Sequence, residues 1–312
     1  MMTTLIIVVA VLCVGAVITV IGAPVIAWRH PPRGRFVDAG GYPQHIVEIG
    51  NAASAGPPVV LLHGAGANLE EMNLALGARL AARHRVILVD RPGFGYSGRK
   101  RGNGSSPSDQ AAVLRDIFHR LGIDRAILVG HSWGGTLALT FALDFPQRVA
   151  GLVLIAPATH PGVWNMSAVN SALATPFGSF FARTLALPFG ALLMWPGSRT
   201  AFLPQVIPPR YVKDSAAMLV LRPPTLMNNW ADVGCLEAAL AQQAGRYGAL
   251  DVPTIVIAGD KDLLVPPEKH ALKLAAAAPC VTVNVLPGFG HMLHHAAADR
   301  IAAAVAELVA GS

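Results

Sequence analysis

Charge is scarce in this chain, and so is cysteine. Of its 312 residues only 13% are charged while 53% are hydrophobic, a greasy balance for a soluble enzyme but ample for a substantial core in one large domain or one domain with an insertion. Three cysteines provide no framework: Cys13 lies in an apolar run, and Cys235 and Cys280 stand far apart without CxxC spacing. A disulfide scaffold and a zinc site are thereby disfavoured. The net charge of +6 contains no basic stripe interleaved with aromatics, so no nucleic-acid partner is expected. Short basic runs such as Arg99-Lys100-Arg101 read as solvated loops that can also touch anionic head groups beside a membrane. No internal repeat is present.

Charge is absent altogether before Arg29. Residues 5–28 are apolar apart from Thr19 and breaks at Gly15, Gly22 and Pro24. At about 1.5 Å per residue such a helix exceeds the roughly 30 Å hydrocarbon core, which predicts a transmembrane anchor over 1–28 and a membrane-lipid partner. Arg29, Arg33 and Arg35 follow in a basic linker, 29–35, and the positive-inside tendency puts the globular part on the cytoplasmic side of the cell membrane. The competing reading is an exported protein with a cleaved signal peptide. The missing basic n-region and the length of the run argue against it, although Gly22-Ala23 is small enough to be cut.

Beyond the linker, short strands are predicted at 36–38 and 45–49. Continuous apolar runs then predict buried strands at 59–62, 85–90, 125–129 and 149–155, alternating with helices at 69–82, 109–121 and 136–145. The rhythm stops at Pro157. Up to about Cys235 the chain is rich in proline, with scattered large apolar residues: Trp164, Phe177, Phe180, Phe181, Met194, Trp195, Phe202, Met218, Met227 and Trp230. No strand run occurs there, and 157–235 reads as an inserted helical cap. Helix, strand, helix, strand and helix then follow at 236–246, 253–258, 267–278, 281–286 and 297–310. The pattern is an α/β fold with a mostly parallel central sheet and helices on both faces, built from 36–156 and 236–312.

One stretch carries chemistry. Gly130-His131-Ser132-Trp133-Gly134-Gly135 reads G-x-S-x-G between a strand and a helix, the context that lifts a serine onto a sharp elbow at a helix N-terminus. The bland alternative is a helix-capping serine in a Gly-rich turn. A serine nucleophile needs a base and an orienting acid, and in parallel sheets ligands bind beyond the carboxyl ends of the strands. His291 follows strand 281–286, and Asp260 and Asp262 follow strand 253–258. The order Ser…Asp…His is that of an α/β-hydrolase sheet. Gly93-Phe94-Gly95-Tyr96-Ser97-Gly98 matches G-x-G-x-x-G but opens no helix, so no dinucleotide cofactor is expected. His294 and His295 beside His291 are read as lining or surface residues, not as a metal cluster.

Together with His63-Gly64, Asp90-Arg91-Pro92-Gly93-Phe94-Gly95, Gly259-Asp260-Lys261-Asp262 and Gly290-His291, these motifs resemble the α/β-hydrolase superfamily over about residues 36–310. The similarity is to the branch with serine esterases, lipases, carbon–carbon bond hydrolases and cofactor-free perhydrolases. It implies Ser132 as nucleophile, His291 as base and Asp262 rather than Asp260 as the acid. It also implies backbone amides of Ala65 and Trp133 as the oxyanion hole, a structural His63, and the cap after the sixth strand. Neither cofactor nor metal is called for. The expected activity is hydrolysis of a small apolar ester or related acyl compound. Carbon–carbon bond hydrolysis, perhydrolysis and a non-catalytic lipid- or pigment-binding module stand as alternatives. Oligomeric state is not legible.

Overall fold

The computed structural model describes residues 1–51, 56–100, 103–163 and 167–312; Arg101 and Trp164 lie outside the described residues. Eight strands form one sheet in the order β1-β2-β4-β3-β5-β6-β7-β8. They are β1 (Arg35–Ala39), β2 (Tyr42–Ile49), β3 (Val59–Leu62), β4 (Val86–Val89), β5 (Ala126–His131), β6 (Val149–Ile155), β7 (Thr254–Gly259) and β8 (Val281–Leu286). Strands β1 and β2 pair antiparallel with each other, as do β2 and β4, and every later pairing is parallel. This order, antiparallel at the β1–β2–β4 edge and parallel from there on, is the mostly parallel sheet that the sequence resemblance implied.

The strand period of two explains how continuous apolar runs serve both faces. Val60 and Leu62 of β3 join one core layer, with Leu114 and Phe118 of one helix and Leu137 and Phe141 of another. Their neighbours Val59 and Leu61 join the opposite layer, with Leu76, Ile301 and Val305. The helices in chain order are α1 (Met2–Arg29), α2 (Leu69–Met72), α3 (Ala78–Ala81), α4 (Pro107–Leu121), α5 (Trp133–Asp144), α6 (Ser167–Leu173), α7 (Pro176–Thr184), α8 (Ala186–Phe202), α9 (Tyr211–Asp214), α10 (Pro223–Ala244), α11 (Ala271–Ala277) and α12 (Ala298–Ala310). A π-helical turn, Asn73–Gly77, joins α2 to α3. Helix α4 has a full set of end signals: Ser106 Oγ accepts from Asp109 N, Pro107 opens the helix, and Gly122 at φ 62° closes it.

Two expected boundaries shift. The helix expected from 236 begins at Pro223 and runs unbroken past Cys235, because prolines in a helix's first turn have no amide bond to lose. A division at 235 therefore cuts α10 in its middle. Pro24 likewise remains inside α1 instead of breaking it. Helices α6 to α10 form the segment inserted between β6 and β7.

Chain crossing at the start of α5 is unusually close. A Cβ on Gly134 would lie 2.3 Å from the carbonyl oxygen of Leu62 and 2.7 Å from that of His63. One on Gly130 would lie 2.4 Å from the carbonyl oxygen of Gly134. Neither backbone can yield without opening the sheet. Gly134→Ala is expected to destabilise the fold by at least about 3 kcal/mol. Gly122→Ala, left-handed but facing open space, should cost about 1 kcal/mol. Urea unfolding of both variants checks this, and a smaller loss for Gly134→Ala than for Gly122→Ala would refute the close-approach argument.

Candidate active site

Ser132 stands at the junction of β5 and α5 with φ 53° and ψ −116°, a backbone state that costs a non-glycine residue on the order of 1–3 kcal/mol. Its side chain makes no capping bond to α5, which sets the helix-cap reading aside. Its own N–H donates to Ile155 O at 2.9 Å, and its carbonyl accepts from Gly135 N. The strain thus holds the hydroxyl away from the backbone.

His291, in the turn after β8, carries Nδ1 2.8 Å from Asp262 Oδ2. Asp262 is buried, and its Oδ1 accepts from Leu264 N and Val265 N, both at 2.9 Å. A carboxylate so placed only accepts, so the proton sits on His291 Nδ1 and a lone pair remains on Nε2. Asp260 is turned away: Oδ1 accepts from Gly288 N at 2.6 Å, and Lys261 pairs with Oδ2. Ser132, His291, Ala65 and Trp133 line one cavity of about 290 Å³. The amides of Ala65 and Trp133 have no backbone partner among the described residues. A serine, a base with its acid, and two amides at a helix N-terminus and a tight turn can together form and stabilise a tetrahedral oxyanion.

The remaining lining is apolar in the main, with Val163, Phe202, Val233, Leu236, Leu264 and Met292. Of the large apolar cap residues singled out in the sequence, only Phe202 lines this cavity among the described residues. Met194 and Met218 pack beside α1 instead, Phe181 sits against Trp230, and Phe177, Phe180 and Trp195 are exposed.

Two buried polar groups behind the cavity were not foreseen. Arg91 is wholly buried, donating to Asp232 Oδ2 of α10 at 2.7 Å, to Gln110 Oε1 at 3.0 Å and to the carbonyl of His63 at 3.0 Å. Its guanidinium lies 4.0 Å from the Trp133 ring and 4.2 Å from that of Phe94. Burial lowers it to about 10, against the pull of Asp232, and it remains a cation at neutral pH. Asp232 is itself buried and also takes Arg99. His63 accepts from Arg91 N at 3.0 Å and faces Gly64 O through Nδ1. Burial and the Arg91 charge hold it neutral, near 3, so it braces the turn that carries Ala65. Asp90 holds the neighbouring loop, accepting from Leu69 N, Tyr96 N and His45 Nδ1. A Cβ on Gly95 would strike that carboxylate at 1.9 Å, so packing explains the G-x-G.

The second group corrects the reading of His294 and His295 as lining or surface residues. His294 is fully buried, and the Nε2 atoms of both histidines meet Glu71 Oε1, at 2.6 and 2.7 Å. Burial alone would raise the Glu71 carboxyl, but the two histidines hold it well below the usual range. Glu71, His131 and His294 offer ligand atoms within 4.8 Å of one another. The His131 and His294 ring planes are tilted by 40° with centroids 4.2 Å apart, and Glu71 Oε1 is already taken by both His294 and His295. With that oxygen engaged, the cluster forms a carboxylate–histidine hydrogen-bond network in which burial pushes His294 down while Glu71 is held as the anion. No spacing signal in the sequence joins Glu71 to histidines 223 and 224 positions away.

Because the folded carboxyl of Glu71 is depressed, its stabilisation is present above the unfolded value of about 4.3 and is lost as pH falls through the folded value. Glu71→Gln should cost about 3 kcal/mol at pH 7, and the gap to the parent should narrow below about pH 4.3. Denaturation midpoints across pH measure this; a pH-independent gap would contradict the assignment.

Comparison with known proteins gives a consistent picture. A family model described as alpha/beta hydrolase fold matches residues 57–298. A 2-hydroxy-6-oxo-6-phenylhexa-2,4-dienoate hydrolase of Burkholderia cepacia is 29% identical over 252 residues, covering 80% of this chain and 86% of the relative. Haloalkane dehalogenase 2 of Mycobacterium bovis is 28% identical over 292 residues, covering 89% and 95%. A solved thermophilic esterase from Thermogutta terrifontis shares the fold with TM-score 0.68 at 23% identity, covering 89% of this chain and 99% of that one.

Proposed function

Since this chain belongs to the α/β-hydrolase fold family, we propose that it is a serine hydrolase of neutral, apolar acyl compounds, in the first place carboxylic esters. The observation that carries this is the hydrogen bond from His291 Nδ1 to buried Asp262, which leaves Nε2 bare in the cavity that Ser132 enters from its elbow. Ser132 Oγ attacks the acyl carbon while His291 Nε2 takes the hydroxyl proton and returns it to the leaving group. Asp262 holds the imidazole in that tautomer, and the Ala65 and Trp133 amides receive the oxyanion. Water, deprotonated by the same His291, releases the acid and restores Ser132.

Carbon–carbon bond hydrolysis is the second reading, favoured by the Burkholderia relative's name. That name describes a dienoate, a carboxylate. The cavity here offers no lysine or arginine among the described residues and has Glu71 in its wall, which favours a neutral substrate. Dehalogenation is set aside because attack by Ser132 on a haloalkane would leave a serine ether, which water does not hydrolyse, whereas a carboxylate nucleophile would leave a hydrolysable ester.

Ser132→Ala and His291→Ala should each remove nearly all turnover in a folded protein, because the group acts as a unit. A fluorophosphonate probe should label the parent but not Ser132→Ala, and an unlabelled parent would favour a non-catalytic binding module. Asp262→Asn should lose far more activity than Asp260→Asn; the reverse order would move the acid to Asp260.

A cavity near 290 Å³ lies at the small end of ligand pockets, roughly 300–1,000 Å³. Each CH₂ buried there gains about 0.8 kcal/mol, approaching fourfold in affinity. The kcat/KM for p-nitrophenyl esters should therefore climb from acetate to medium-length acyl groups and then level off. A profile flat or falling from acetate to octanoate would defeat the apolar-pocket reading.

Retention of α1 as a single-pass anchor, with the catalytic part on the cytoplasmic side, belongs to the same proposal. Its 28 residues reach about 42 Å. Its packing also speaks against a cleaved signal: Thr19 Oγ1 donates to Thr184 O at 3.2 Å, Gly22 packs on Leu187, and Ile26 joins a buried cluster with Leu219 and Leu221. Tyr96 further ties the helix end to the core, donating to Ala27 O at 3.0 Å.

A further inference from the structure

Helix α8 has the wrong outside for water. Its inward stripe, Leu187, Gly190, Met194, Ser198 and Ala201, faces the α1 cluster and then the catalytic cavity. Its outward stripe should be polar on a helix bathed in solvent. Instead its first three turns read Phe189, Leu192, Leu193 and Pro196, with Leu192 75% and Leu193 64% exposed, and exposed polar residues, Arg199 and Thr200, appear only at its end. Helix α7 continues the pattern with Phe177 72% and Phe180 53% exposed. The two helices meet at 76° and together are long and apolar enough for a broken span or a re-entrant loop. No acidic residue occurs between Asp144 and Asp214.

The contacts of α1 say what covers this surface. Small residues Gly15, Thr19 and Gly22 bring α1 against the α7–α8 elbow, the manner in which helices pack within a bilayer. Thr19 lies nine residues from Trp28, about 14 Å along an upright helix. A spanning α1 therefore draws Thr184 and the elbow to a comparable depth. The level of the water boundary is marked as well. Trp28, Arg29, Trp195, Arg210 and Lys213 line one cleft, the aromatic and basic girdle of a membrane interface. Arg183, the only charge in α7, lines a different cleft with Arg99, Asn103 and Ser105, the position of a snorkelling side chain.

We propose that α7 and α8 form a re-entrant elbow in the lipid hydrocarbon beside α1, so that the cap of the active site is a membrane-embedded element. The partner is acyl-chain hydrocarbon under an anionic head-group layer. This rests on the anchored reading of α1 and adds to it. One helix then carries lipid-facing residues at its start and cavity-lining Ser198, Ala201 and Phe202 at its end, and a bilayer-dissolved ester meets the cap before it meets water.

The test uses the full chain in phosphatidylcholine–phosphatidylglycerol vesicles, with Cys13, Cys235 and Cys280 replaced by serine. Nitroxide labels are placed singly at Phe180→Cys, Leu192→Cys, Val9→Cys and Asp124→Cys. Accessibility to oxygen, which concentrates in lipid, is compared with accessibility to a water-soluble nickel chelate. Labels at 180 and 192 should favour oxygen, as at 9, while the label at 124 favours the chelate. If 180 and 192 match 124 while 9 reports lipid, the embedded cap is refuted and the anchor stands. If 9 reports water, the anchored reading has failed, and the labels at 180 and 192 decide the cap by themselves: chelate-favouring values there overturn it.

Discussion

A guanidinium removed from water must be answered on every side, and Arg91 is the point at which this molecule does so. Its partners come from separate parts of the chain: the carbonyl of His63 on the turn after β3, Gln110 of α4, Asp232 of α10 and the ring of Trp133 at the elbow. Removing Asp232 would leave the buried charge unpaired, at a cost of about 3–5 kcal/mol. The ion pair is weak evidence of net stability. Its value is geometric, because the turn bearing Ala65, the residue after Ser132 and the first helix behind the cavity cannot move independently of it.

The elbow adds a second constraint of a different kind. Ser132 is held in a disfavoured backbone state, and Gly130 and Gly134 let β5, α5 and the end of β3 approach more closely than any side chain permits. The same approach brings Gly64 to Ser132, where a Cβ would sit 3.3 Å from the serine Cβ. Strain at one residue is thus sustained by close backbone packing at three glycines. Behind it, Glu71 clasps His294 and His295 and so fastens the short turn that follows His291. Each group proposed to react is positioned by neighbours that would have no part in bond making.

What could be read from the sequence follows from the range of the forces involved. Strands β3 to β7 are buried along their length, so each prints a continuous apolar run, and the elbow prints its glycines locally. Asp262 and His291 are each within a few residues of a strand end, so chain order nearly finds them. Arg91 and Asp232 stand 141 positions apart, and neither a period nor a motif links them, so nothing in the sequence marks Asp232 as a partner. Proline misled in the opposite direction. Pro223 and Pro224 read as punctuation, yet they open the longest helix of the insertion, since a helix's first turn has amides to spare. The cap's large apolar residues were visible, but their direction was not: a helix has two sides, and composition does not say which one meets the substrate.

That last ambiguity bears on how the parts cooperate. If the exposed side chains of α7 and α8 were core residues of a water-facing cap, they would need a covering element, and the described residues contain none besides α1. Helix α1 itself is mostly bare, with Leu5, Ile6, Val14 and Val17 all exposed. Two uncovered apolar surfaces that meet at small residues Gly15, Thr19 and Gly22 are most simply satisfied by one common solvent. Hydrocarbon is the solvent proposed for both: it would leave the helical hydrogen bonds intact and cover both surfaces without a further protein partner. In that setting the scarcity of charge that marks this sequence belongs to the same physical design as the apolar cavity, because anchor, cap and substrate would share one phase while Ser132 and its partners remain behind the cap in the polar core.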